Sequence, residues 1–273
     1  MEKGSSVLYG FLMRGVIDME SKRGISGSTM KMIAIVTMFV DHLGAGVIGR
    51  YLSMLMNSGA NATYIGPFQC SYEQLVNVYQ IMRFTGRIAF PIFCFLLIEG
   101  FEHTRDVRKY ALRLFGFCVI SEIPFDLLFN GQLLETGYQN VFFTLLLGLL
   151  TMWAFRSVSQ QNWSRGTMVL MDILVLVAGI ASADFLRTDY GGIGIICIMM
   201  LYITRKSKVT QIVAGCVSFS WEITAPLAFI PIGFYNGRRG WNMKYFFYIF
   251  YPAHLLLLYG LCKVLGIAVY AAM

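Results

Sequence analysis

The sequence predicts an all-α fold, a polytopic transmembrane helix bundle of about eight or nine spanning or half-spanning helices. Three observations carry this. The 273 residues are 57% hydrophobic and only 14% charged, where an ordinary soluble domain is about 25% charged. Apolar runs of about 18 residues or more recur along the chain. They are long and continuous, unlike the short alternating segments of a membrane β-barrel.

The formal net charge of +7 does not point to nucleic acid, and no nucleic-acid partner is expected. In a membrane protein, cytoplasmic loops collect Lys and Arg, and that accounts for the excess. Of six cysteines, Cys94, Cys118, Cys197, Cys216 and Cys262 fall in apolar runs, and Cys70 sits in a polar stretch. There is no Cys-x-x-Cys and no metal-type His spacing, so neither a disulfide framework nor a metal site is expected.

The elements follow in order. Residues 1–28 form a cytoplasmic or interfacial tail, with Lys3, Arg14, Lys22 and Arg23 around a short apolar patch. The tail either lies on the membrane surface or precedes a true start at Met19. The membrane domain covers 29–273. Its first helix spans about 29–51, and a polar loop without Lys or Arg follows over 52–80. Further helices are predicted near 81–100, 110–129, 140–155 and 167–185, then from Gly192 to about 204, and finally over 245–266. Residues 209–235 are interrupted by Trp221-Glu222, Pro226 and Pro231. Proline breaks a helix interior, so two short segments meeting at Glu222 fit better than one span.

Charge bias sets the expected orientation. With the N-terminus inside and 209–235 as a hairpin, all of the 22 Lys and Arg except Arg50, Arg83, Arg87, Arg187 and Lys263 lie toward the cytoplasm. The expected location is a bacterial cytoplasmic membrane. No internal repeat of the kind that builds many transporters is evident.

Asp41 and His42 lie about 15–18 Å along the first helix, near mid-membrane. Ionisable groups there cost several kcal/mol (~2.5 or more) unless they face protein or water, so both are functional candidates. Adjacent helical residues point about 100° apart, so each needs a partner from another helix. Arg83 and Arg87 are four apart near the outer end of the second helix. Glu122 and Asp126 are four apart on the third, with Pro124 between them. Gln139, Asn140, Asp184, Arg187 and Asp189 fall at the same level. His254 lies at mid-depth on the last helix, and Glu99 and His103 are four apart at the inner end of the second. The competing structural reading is an ion-pair set, Arg87 with Asp41 or Asp126, holding helices in register.

These residues sit in stretches that resemble a known family. They are Met32–Gly44; Arg83, Gly86, Arg87 and Ala89–Phe93, running into Glu99-Gly100-Phe101 and His103-Thr104; and Ser121–Asp126. Further on come Gln139–Thr144, Thr188–Gly191, Tyr235-Asn236-Gly237 with Gly240, and Tyr248 with Tyr251-Pro252 and His254. On these the sequence is identified as a member of the TraX family, over roughly residues 29–260. TraX proteins are named for acetylating the N-terminus of conjugative pilin and are similar to the wider transmembrane acyltransferases.

The resemblance implies an integral membrane acetyltransferase. It would move an acetyl group from cytoplasmic acetyl-CoA to an amine or hydroxyl at an intramembrane site. His42 is the expected base, acting in direct transfer or through a covalent acetyl-histidine. Asp41, Glu122 and Asp126 are the candidates to fix its tautomer. Arg83 and Arg87 are candidates to steady an oxyanion or bind an anionic acceptor. Asn140, Asp189, Tyr190 and His254 are expected at the acceptor. Arg238 and Arg239, in a Gly-flanked turn after Asn236, are the expected coenzyme contacts. Besides acetyl-CoA, the expected partners are the lipid bilayer and an acyl acceptor. The alternative class is a transporter or proton-coupled carrier using the same Asp, His and Arg residues. A third reading is a structural membrane protein.

Overall fold

The computed structural model describes residues 24–57, 71–242 and 244–267. The basic tail residues Lys3, Arg14, Lys22 and Arg23, the alternative start at Met19, and Cys70 lie outside the described residues. The chain is an all-helical membrane bundle, and among the described residues five helical stretches, Gly27–Met56, Tyr72–His103, Val141–Val158, Arg165–Phe185 and Phe246–Val264, are long and apolar enough to cross a membrane.

Helix α1 (Gly27–Leu43) is capped by the Ser26 side chain, which accepts from the Thr29 amide. It does not end at the predicted boundary. It widens into a π-helical turn over Gly44–Gly49 and continues as α2 (Arg50–Asn57). α3 (Tyr72–Gly86) then opens on a full capping box at Ser71 and Gln74. The predicted polar loop over 52–80 is therefore largely helical in its described parts. Tyr51, Leu52 and Leu75 bury against the bundle, and capping plus that burial outweighs the polarity of the exposed faces.

The predicted second helix is two helices, α3 and α4 (Ala89–His103), parted at Arg87–Ile88. Pro91 explains the break. Its ring opposes the carbonyl four residues back, at Arg87, and it has no amide hydrogen to offer. α4 is the centre of the larger core, with Phe90, Ile92, Cys94, Phe95, Leu97, Ile98 and Phe101 all buried.

α5 (Val107–Phe129) starts on the Asp106 cap and α6 (Val141–Val158) on Asn140. Next come α7 (Arg165–Phe185), α8 (Gly191–Thr204) and α9 (Lys208–Ser218). A 3-10 turn (Ala225–Ala228) and the short α10 (Phe229–Gly233) lead back from it. The Lys208 ammonium donates to the Tyr235 carbonyl at 3.0 Å, so both ends of 208–235 lie at one end of the bundle. The segment is a re-entrant hairpin with Glu222 near its tip, as Pro226 and Pro231 led us to expect.

Residues 24–28 dock on the following turn through four backbone bonds. Ile25 pairs with Phe234 and Asn236, Gly27 with Arg238, and Ser28 with Arg239. α11 (Lys244–Val264) then packs against α5 and α1. α7, by contrast, is the most peripheral element: only Ala183 is buried, and Val169, Leu170, Ile173, Leu174 and Val177 face outward. An apolar helix so exposed is a lipid-facing span.

Candidate active site

Two cavities meet inside the bundle near His42. The outer one is about 280 Å³ and opens among α1, α3, α4, α5 and the turn before α8. Asp41, His42, Arg83, Arg87, Tyr138, Asp189 and Tyr190 line it. The inner one is about 510 Å³ and runs from the basic end of the bundle between α1, α4, α5 and α11. Met38 and Phe93 line both cavities. Tyr251 lines the inner one and packs edge-on against His42, with ring centres 5.8 Å apart. The imidazole thus stands at the partition between them.

The arginines of the outer cavity are paired. Arg83 donates to the Asp41 carboxylate at 2.7 Å, and Arg87 meets Glu222 at 3.1 Å. Asp41 does not pair with Arg87 as expected. The Arg87 amide still donates to the Arg83 carbonyl at 3.3 Å, so both arginines keep one face and both line the outer cavity, but their side chains reach different carboxylates. A Cβ on Gly86 would overlap the Asp41 side chain, so glycine there is what lets α3 close on α1. The Tyr138 hydroxyl donates to Asp189, and Tyr190 stacks on Phe90 with ring centres 3.5 Å apart.

Among the described residues, His42 makes no hydrogen bond to a carboxylate. Its Nδ1 lies 2.7 Å from His254 Nε2, and His254 Nδ1 lies 2.7 Å from the Phe250 carbonyl oxygen. Asp41, Glu122 and Asp126, the three expected orienting carboxylates, are occupied elsewhere. Glu122 accepts from the side chain of Asn140 and, at 3.4 Å, from its amide, joining α5 to α6. Asp126 accepts from Asn130 at 3.1 Å and from the Glu135 amide at 2.8 Å, tying down the loop after α5. Glu122, Asp126 and Asn140 therefore line neither cavity. Glu122 is turned instead to Asn140 at the start of α6, and Asp126 to the loop after α5.

At the basic end, Arg239 reaches the inner cavity. Asn236 and Arg238 do not line it; the Asn236 side chain instead accepts from the Arg238 amide at 3.0 Å, closing the turn. Lys31 and Arg113 stand beside Arg239 in the lining. Neither was singled out in the sequence, where both look like ordinary basic helix ends. Lys31, Arg113 and Arg239 form no ion pair among the described residues, whereas Glu99 and His103 line the same cavity. Deeper in, Ile35, Leu97, Leu145 and Phe142 make the walls apolar. No group of residues able to hold a metal ion occurs among the described residues.

Fold and site together define the class: a polytopic helical membrane protein with a polar intramembrane centre between two cavities. Within it, the chain belongs to the TraX family, whose sequence model, described as TraX protein, matches residues 26–262. It is also 31% identical over 212 residues to a protein of Dichelobacter nodosus described as probable fimbrial assembly protein FimC, serogroup H1. That match covers 66% of this chain and 82% of the relative. No solved structure matches the chain.

Proposed function

We propose that this protein is an integral membrane acetyltransferase, with its donor in the inner cavity and its acceptor in the outer one. The single observation that supports this most is the position of His42 between the two. Acetyl-CoA suits the inner cavity chemically. Its phosphates match Lys31, Arg113 and Arg239, which make no ion pair among the described residues, and its long, weakly polar arm matches the apolar interior. In this reading the basic end faces the cytoplasm of a bacterial inner membrane, as the charge bias requires.

The reaction is direct transfer. The acceptor amine or hydroxyl gives its proton to His42 as its nitrogen or oxygen bonds to the acetyl carbon. The carbon–sulfur bond then breaks, and the coenzyme thiolate takes the proton back from His42. Arg83 and Arg87, at the outer cavity wall, are the cations available to the developing oxyanion. The relative's name, a fimbrial assembly protein, favours the N-terminal amine of a pilin-like subunit as acceptor.

The test uses radiolabelled acetyl-CoA, membranes containing the protein, and a synthetic peptide with a free N-terminal amine. Wild type should transfer label, and folded His42→Ala should lose at least about 100-fold. Undiminished transfer by that variant would remove His42 from the chemistry. Purified protein that neither binds nor hydrolyses acetyl-CoA would sink the enzyme reading and return the carrier alternative.

A further inference from the structure

The hydrogen bonds around His254 permit one arrangement of protons on the two neutral rings. The Phe250 carbonyl can only accept, so His254 Nδ1, 2.7 Å away, carries the ring hydrogen. His254 Nε2 is then a bare acceptor. It faces His42 Nδ1 at 2.7 Å, so His42 must donate from Nδ1. The lone pair of His42 is left on Nε2, which has no hydrogen-bond partner among the described residues. His42 lines the outer cavity.

The geometry around this pair is restrictive. The ring planes differ by 2° with centres 5.0 Å apart, so the hydrogen bond runs edge to edge. His254 is 4% exposed. The Phe250 ring lies against it at 4.8 Å and 16°, and Tyr251 and Phe39 close the other sides. Phe250 and His254 are four apart on α11, so the carbonyl that orients the imidazole belongs to the same helix. Pro252 lies between them.

We propose that His254 is a positioning residue that holds His42 in its Nδ1–H form, so that Nε2 faces the outer cavity as the base. This rests on the reading of His42 as proton acceptor. The role that a carboxylate fills in many histidine catalysts falls here to a neutral ring. That arrangement adds no buried charge, and burying an unpaired one is expensive. It also leaves Asp41 free to pair with Arg83.

The pair has a second consequence. When His42 Nε2 takes a proton, the charge can be shared with His254 across the hydrogen bond. It can go no further, because the next group is a carbonyl with no proton to pass on. The proton therefore leaves the way it came, through His42 Nε2 to the departing thiolate. A relay across the membrane would need a continuing acceptor at that point.

The first test needs no activity and no variant of either residue. Protein labelled with nitrogen-15 histidine has three imidazoles, at 42, 103 and 254, and a His103→Gln sample assigns the third. We expect His42 and His254 both neutral with hydrogen on Nδ1, and a scalar coupling across the bond from His42 Nδ1 to His254 Nε2. A hydrogen on His42 Nε2, or no coupling, overturns the proposal.

The second test compares His254→Leu with His254→Gln in transfer from acetyl-CoA to the same peptide. Leucine removes the acceptor and should lower kcat about 100-fold with little change in the donor KM. Glutamine places an amide oxygen near the lost Nε2 and should recover most of that loss. A leucine variant with wild-type kcat, or a glutamine variant as inactive as leucine, overturns the positioning role. If wild type shows the expected ring protons but transfers no acetyl group, the reading of His42 as base has failed, and the positioning role falls with it. The two failures are thereby told apart.

Discussion

The outer and inner cavities hold charge in opposite ways. In the outer one every arginine is matched: Arg83 with Asp41 of α1, and Arg87 with Glu222 at the hairpin tip. In the inner one Lys31, Arg113 and Arg239 line the wall and make no ion pair among the described residues. Burying a charge inside a membrane bundle is tolerable only when it is paired or reaches water. The outer pairs therefore hold helices together around His42, and the inner cations stay available for an anion. The same residue type is held by a carboxylate at one end and has no ion-pair partner among the described residues at the other.

Breaking an outer pair should give the largest effect. Arg83→Ala leaves the Asp41 carboxylate unpaired and should destabilise by roughly 3–5 kcal/mol. Thermal unfolding in detergent would measure it, and Asp41→Asn added to Arg83→Ala should recover much of the loss. An Arg83→Ala protein as stable as wild type would mean that this pair does not hold α1 to α3.

Gly86→Ala comes next. The added Cβ meets the Asp41 side chain, and relief by helix displacement should cost about 1–3 kcal/mol. If the outer cavity depends on that close approach, the acceptor KM should rise as well. Unchanged unfolding and unchanged KM would show that α3 shifts freely.

The inner cations should behave differently. Arg113→Ala and Arg239→Ala should each raise the KM for acetyl-CoA by about tenfold, with stability within about 0.5 kcal/mol of wild type. Arg238→Ala should do less, because Arg238 does not line the cavity. Equal effects at 238 and 239 would point to a general surface attraction in place of a built site.

The smallest effect is a pH dependence outside the membrane spans. The Lys109 amide, at 3.0 Å, and then the Lys109 ammonium hold the Asp106 carboxyl below its ordinary value of 3.8. A depressed folded value means that the cap contributes fully above pH 3.8 and is lost as pH falls through the lower folded value. Amide exchange at Lys109 should therefore accelerate only in that acid window. Protection that does not change across it would mean that Asp106 is not what caps α5.

Much of this arrangement was legible in the chain. The apolar runs predicted the helices, and Pro226 and Pro231 with Trp221-Glu222 predicted the hairpin, because a missing amide hydrogen breaks a helix wherever it is buried. Asp41 and His42 stood out because ionisable residues at mid-membrane are expensive. The pairing did not follow. Arg83 and Arg87 have the spacing of one helical face and both line the outer cavity, but α1 and the hairpin tip each bring a carboxylate there, and spacing does not say which arginine meets which. Glu122, Asp126 and Asn140 have the right depth and the wrong direction, since depth follows from residue count and direction from how neighbouring helices rotate.

The sequence alone determined the class of protein, the helical runs, the hairpin over 209–235 and the candidacy of His42, since each depends on hydropathy, proline chemistry or the cost of a charge in an apolar run. Only the tertiary structure decided that His42 answers to His254 and not to a carboxylate, that Lys31 and Arg113 join Arg239, and that two cavities end on either side of one imidazole. These depend on contacts between residues more than 80 positions apart in several cases and more than 200 in that of His42 with His254. Spacing along one helix carries no information about which face of a distant helix will meet it.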